Sequence, residues 1–126
     1  MSSTLHNILI VDDESSLRNL LSLALKSVAE SSDTACDGLE ALRKMAENHY
    51  DVIIADISMP RLSGLEFLEK VRESGDETPV ILCSAHFPDE AFTLAERYRS
   101  VQMMSKPMSL PAIRQLVLEA GQREAA

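Results

Sequence analysis

Residues 51–60 read D-V-I-I-A-D-I-S-M-P. Val52, Ile53, Ile54 and Ala55 form an apolar run with no polar position inside it. A strand with one wet face would alternate. An unbroken run rich in β-branched residues instead suits a strand covered on both faces, as in a parallel sheet. The run ends on Asp56. A carboxylate is costly to bury unless it is paired or bound to a cation. The stretch therefore carries two expectations: an interior parallel strand, and an acid with a task where that strand leaves the core.

Similar runs lie on either side: I-L-I-V (8–11), V-I-L-C (80–83), V-Q-M-M (101–104) and, weakly, T-A-C (34–36). Helix patterns separate them. Leu17, Leu20, Leu21, Ala24, Leu25 and Val28 follow a helical rhythm, and Leu39, Leu42, Met45 and Ala46 make a shorter stripe. Asp37 with Glu40, and Ser63 with Glu66, have the spacing of a capping box. The second of these precedes an inner face of Leu65, Leu68 and Val71. Ala91, Leu94, Ala95 and Tyr98 mark a fourth helix. Ile113, Leu116, Val117 and Ala120 mark a fifth, with Ser109 as N-cap and Pro111 in its first turn. Five alternating β–α units predict an α/β fold, an open doubly wound parallel sheet with helices on both faces.

The 126 residues suffice for one domain, expected to fill 1–126 with an ordered core over about 6–121 and a frayed G-Q-R-E-A-A tail. The net charge of −8 argues against direct nucleic-acid binding, which needs clustered Lys and Arg. No apolar run approaches the roughly 20 residues that cross a bilayer. The start M-S-S-T-L-H-N lacks the basic and apolar regions of a signal peptide. Cys36 and Cys83 have no metal-ligand spacing and read as small buried thiols of a reducing compartment. These features predict a cytoplasmic protein without membrane contact.

In sheets of this class, sites form outside the carboxyl ends of the strands. Asp12 and Asp13 follow the first strand, Asp56 ends the third, Ser84 follows the fourth, and Lys106-Pro107 follows the fifth. Singly, each has an ordinary explanation as a helix cap, a turn residue or a solvated lysine. Together they make a chemical set. Three adjacent carboxylates repel unless a cation lies between them. All-oxygen ligands with room for water favour Mg²⁺. Lys106 adds a point charge for phosphate, Ser84 a hydroxyl, and a carboxylate can be a nucleophile.

At these residues the chain resembles the receiver domains of response regulators in two-component signalling, the single-domain chemotaxis-regulator type included. The match runs through I-L-I-V-D-D-E, D-I-S-M-P-R-L-S-G-L-E, S-A and K-P, in order. The resemblance implies a flavodoxin-like fold with strand order 2-1-3-4-5, which separates Cys36 from Cys83. It implies that Asp56 accepts a phosphoryl group from a histidine kinase or a histidine phosphotransfer protein. It implies Mg²⁺, with Mn²⁺ as a substitute, held by Asp13, Asp56 and the Ser58 backbone carbonyl, and by Asp12 largely through water. Ser84 and Lys106 would hold phosphoryl oxygens, and Ser58 and His86 would tune phosphoryl lifetime. The Lys106–Pro107 bond is typically cis in the family. Phosphorylation would move Ser84 and switch the surface of helix 4, strand 5 and helix 5, through which receivers often form homodimers. Such a domain catalyses only its own phosphorylation and dephosphorylation and passes the signal to an output protein or domain that the sequence does not name.

Two departures stand out. Met103 occupies the switch position where receivers often carry Tyr or Phe, and Arg99-Ser100 replaces the usual Gly-Ala before the fifth strand. They keep open a protein-binding module that works without phosphorylation. A Mg²⁺-dependent phosphohydrolase fits less well, because the chain has D-D-E after the first strand where such enzymes commonly carry D-x-D.

Overall fold

The structure, a computed structural model, describes residues 4–125, and the side chains of residues 4–122. Five strands, β1 (Leu5–Val11), β2 (Ala29–Ala35), β3 (Val52–Asp56), β4 (Val80–Ser84) and β5 (Val101–Ser105), form one sheet in the order β2-β1-β3-β4-β5. Every pairing is parallel. The helices are α1 (Ser15–Ala24), α2 (Gly38–Glu47), α3 (Gly64–Glu73), α4 (Asp89–Arg97) and α5 (Leu110–Ala125). This is the flavodoxin-like arrangement the resemblance implied.

The unbroken apolar runs are explained by two cores, one on each face of the sheet. Leu9, Val11, Ile53, Ala55 and Leu82 face α2, α3 and α4, where Ala41, Phe67, Leu68 and Leu94 meet them. Ile8, Ile10, Val52, Ile54, Ile81 and Cys83 face α1 and α5, against Leu21, Leu25, Ile113 and Val117. Alternate residues of one strand thus serve opposite cores, so no position in β3 or β4 is left for a polar side chain until the strand ends.

Local signals hold with instructive adjustments. Ser63 and Glu66 form the full capping box of α3. Asp37 caps α2 by accepting the Glu40 N–H, but Glu40 reaches the Cys36 N–H, one residue before the box position. The Ser109 hydroxyl accepts the Ala112 N–H at the start of α5. The second strand lies at 29–35 rather than 34–36. It is an edge strand with one neighbour, so its sequence A-E-S-S-D-T-A carries no apolar run. To make room, α1 stops at Ala24 and a 3-10 turn over Leu25–Ser27 leads into β2. Leu20 is 46% exposed and Leu39 48%, with Ala46 also outside, so the inner stripes of α1 and α2 are narrower than their periodicity indicates. The helix α5 runs past the expected end. Gly121 is buried, and a Cβ there would meet the Leu5 side chain at 2.5 Å. Ala126 lies outside the described residues.

The departure at Arg99-Ser100 has a structural counterpart. Ser100 adopts φ 58°, and the buried Arg72 guanidinium from α3 donates to the carbonyls of Arg99 (2.9 Å), Ser100 (3.2 Å) and Asp76 (3.0 Å). Both cysteines are free. Cys83 is buried, and burial pushes its thiol up to about 12, whereas Cys36 is only half-buried beyond β2. No helix among the described residues is long and apolar enough to cross a membrane.

Leu82 is fully buried between β3 and β5, so Leu82→Ala is expected to cost about 2–5 kcal/mol. Leu20→Ala, on the exposed side of α1, is expected to stay within about 0.5 kcal/mol. Urea denaturation of the two variants checks the difference.

Candidate functional site

The parallel sheet delivers its polar residues to one edge. Asp12 follows β1 directly, Asp56 ends β3, Ser84 ends β4 and Lys106 follows β5. Asp12 is 3% exposed and Asp56 7%, while Asp13 is exposed. One carboxylate oxygen from each of Asp12, Asp13 and Asp56 lies within 4.8 Å of the others. The Lys106 ammonium stands 3.2 Å from Asp12 Oδ2 and 3.3 Å from Asp56 Oδ2. The Lys106–Pro107 bond is cis, and the Lys106 N–H donates to the Ser84 carbonyl, continuing the sheet one residue past β5.

Burial holds the Asp56 carboxyl above the usual carboxylate range, aided by repulsion from Asp12 and opposed by Lys106 and the Ser58 backbone. Burial works against the Lys106 charge as well, but Asp12 and Asp56 outweigh it and leave the ammonium more basic than usual. The Asp12 carboxylate also accepts the Glu14 N–H, while its backbone carbonyl accepts from Arg18 at 2.7 Å. Arg18 escaped the sequence reading. It sits one turn into α1, where an arginine reads as solvated surface.

Gly64 shows why the motif needs a glycine. A Cβ at this position would lie 2.3 Å from the Asp56 carbonyl oxygen and 2.9 Å from Ile57 Cα. The Gly64 N–H donates to the Ile57 carbonyl, closing the loop from 57 to 64 at its base. The start of α3 is thereby pressed against the strand end that carries Asp56.

The remaining expected residues are placed less centrally. The Ser84 hydroxyl donates to the His86 carbonyl at 2.7 Å and accepts the His86 N–H at 3.1 Å. The side chains of Ser58 and His86 are exposed. Met103 is half-buried opposite Leu82 and packs against the core that includes Ala91 and Leu94 of α4.

Residues 8–118 match the response regulator receiver domain family. The chain belongs to that family. The receiver is 34% identical over 120 residues to the regulatory protein AtoC of Escherichia coli, covering 95% of this chain and 26% of that protein. It is 44% identical over 78 residues to the Regulator of RpoS from the same organism, covering 62% and 23%. The chain thus spans about a quarter of the length of these curated relatives. Among solved structures, the chemotaxis protein CheY4 of Vibrio cholerae superposes with a TM-score of 0.82 at 28% identity, covering 93% of this receiver and 99% of that chain. Receiver domains of two-component systems bind Mg²⁺ in general and interact with histidine kinases or phosphotransfer proteins and with output domains. The three carboxylates here fit a hard divalent cation. They are all-oxygen donors, they converge, and the exposed Asp13 leaves one side open to water.

A carboxyl raised in the folded state binds its proton more tightly there than in the unfolded chain. The contribution of this one group to stability is then fully present below its unfolded value of ~3.9 and is lost as pH rises through the raised folded value. Asp56→Asn removes that charge. In metal-free buffer near neutral pH the variant is expected to melt at or above the parent, and the difference should vanish below about pH 4. Thermal melts across this range, with chelator present, check both the sign and the window.

Proposed function

We propose that this receiver takes a phosphoryl group on Asp56 from a histidine kinase or a histidine phosphotransfer protein, with Mg²⁺, and so switches its α4-β5-α5 surface for an output protein or domain. The observation that carries the reading is the position of Lys106, within ion-pair distance of both Asp12 and Asp56 at the open end of the sheet. An Asp56 oxygen attacks the phosphorus of a phosphohistidine. The new P–O bond forms as the P–N bond breaks, and the electron pair leaves with the imidazole. Asp12, Asp13, Asp56 and the Ser58 backbone carbonyl would hold the Mg²⁺, whose contribution is to neutralise charge on the phosphoryl oxygens.

The chain's own groups then supply position and response. Lys106 exchanges its contact with Asp56 for a phosphoryl oxygen. The added charge of about −1.5 to −2 offers Ser84 a stronger acceptor than the His86 carbonyl it now meets. Ser84 moving toward the phosphoryl group would pull the loop after β4 and shift the start of α4, a population shift biased by a local charge. Ser58 and His86, two residues after Asp56 and Ser84 and exposed, would tune phosphoryl lifetime by adjusting access of hydrolytic water. The receiver turns over no metabolite and catalyses only its own phosphorylation and dephosphorylation. Its expected compartment is the cytoplasm, in keeping with two free thiols.

Met103 supports a second reading, a binding module that works without phosphorylation, because no aromatic ring is there to turn inward. Intact mass after incubation with Mg²⁺ and acetyl phosphate separates the two. The receiver is expected to gain one phosphoryl group, and Asp56→Ala none. Because a short-lived adduct escapes mass analysis, beryllofluoride with amide NMR is the companion measurement, and no response in either favours the module. Lys106→Ala is expected to keep Mg²⁺ binding yet lose the amide shifts of α4 and β5 on beryllofluoride addition. Unchanged shifts would contradict the role given to the lysine.

A further inference from the structure

The loop between Asp56 and α3 contains a strained turn with an unusual fastening. The Leu62 N–H donates to the Pro60 carbonyl at 2.7 Å, and Arg61 between them has φ 67°. That is a γ-turn with positive φ, the rare and strained kind, on a residue that carries a side chain. Strain of this sort persists only where the surroundings over-determine it.

Two contacts with the start of α2 do so. Arg61 Nε and Nη2 converge on Asp37 Oδ2 at 2.7 and 2.5 Å. Asp37 is a buried carboxylate whose other oxygen caps α2. Beside it, Gly38 lies so close to Leu62 that a Cβ would stand 2.9 Å from Leu62 Cδ2 and 3.0 Å from the Leu62 carbonyl. The loop from 57 to 64 is therefore held at its base by Ile57 and Gly64 and at its tip by α2. Ser58 lies between these two fastenings.

We infer that Asp37 and Arg61 are a positioning pair for the cation site: by fixing the strained turn they aim the Ser58 backbone at the space beside Asp56, and so set divalent-cation affinity. Neither residue touches the carboxylate cluster. The inference rests on the proposed role of the Ser58 carbonyl and extends the site to a helix on the far side of the loop. Losing a group that orients a metal ligand typically costs roughly 10–100-fold in metal affinity.

Three substitutions separate the pair from its neighbours' needs. Arg61→Gly accepts positive φ without strain but deletes the ion pair. Asp37→Asn keeps an oxygen to cap α2 but deletes the charge. Arg61→Lys keeps charge but loses the converging N–H groups. Mg²⁺ is titrated into each full chain and followed by amide NMR, with melting temperatures recorded in parallel. Arg61→Gly and Asp37→Asn are each expected to raise the Mg²⁺ Kd about tenfold, with Arg61→Lys between them and the parent. The double variant should be no weaker than either single, because the two residues act as one unit. The Ser58 amide should shift in the variants before any metal is added. A Kd within about twofold of the parent in both single variants, whatever their melting temperatures, overturns the inference and leaves the pair a purely structural fastening. A parent chain that binds no Mg²⁺ overturns the cation reading of the site itself and the inference with it.

Discussion

Two buried carboxylates side by side are unstable company, and the whole site depends on how that repulsion is met. Asp12 and Asp56 stand at the ends of adjacent strands, where the parallel register brings them together and the cores below exclude water. Lys106 meets both of them. One ammonium can neutralise only one of the two charges, and Asp13 adds a third acid at the rim. The site therefore carries an excess of negative charge that a divalent cation would relieve. The phosphoryl group of the proposed transfer would need the opposite, a net positive surrounding. A divalent cation and the lysine reconcile these demands, since each can serve the carboxylates first and the phosphoryl oxygens afterwards.

Rigidity is what makes so small a site usable. Every strand that delivers a functional side chain is anchored in the sheet interior or, for β5, along one side of it. The β3 end is additionally pressed by Gly64, so Asp56 has little freedom to retreat from its neighbours. A flexible loop bearing the same acids could relax their repulsion by moving apart. Here the cost is borne by the packing of two cores and kept available for chemistry.

The interior of this molecule was easy to read from sequence, and its periphery was not. V-I-I-A and V-I-L-C announce themselves because both faces of β3 and β4 are covered, and the acids that follow are conspicuous by contrast. The strand β2 begins five residues before the expected T-A-C because an edge strand needs no apolar run, and A-E-S-S-D-T-A reads as loop. Leu20 and Leu39 have the right period for a buried stripe, but periodicity fixes direction and not width. The residues that converge at the sheet edge are legible as a set, since each ends its strand or follows it within two residues. Its supports were not. Asp37 was read correctly as a helix cap, yet its second partner is 24 residues away and depends on how α2 meets the 57–64 loop. The Ser84 hydroxyl was expected at the site, and only the three-dimensional arrangement reveals its engagement with the His86 backbone.

Arg72 has a consequence for how α4 can move. Its guanidinium grips the connection between α4 and β5 from within α3, at the end of the sheet remote from the carboxylates. The other end of α4 follows the short Ala85–Pro88 segment, beside the site. A rod about 13 Å long, tethered at its far end, has a pivot and a lever arm. Pulling on the near end makes such a rod tilt rather than slide, and displacement then falls from a maximum at Asp89 to almost nothing at Arg97. The exposed Phe92, part-way along, would then swing through an arc instead of sliding along the helix axis. In mechanical terms, under the proposed switch, the arginine would convert a small tug at the sheet edge into a change of slope across the α4 face.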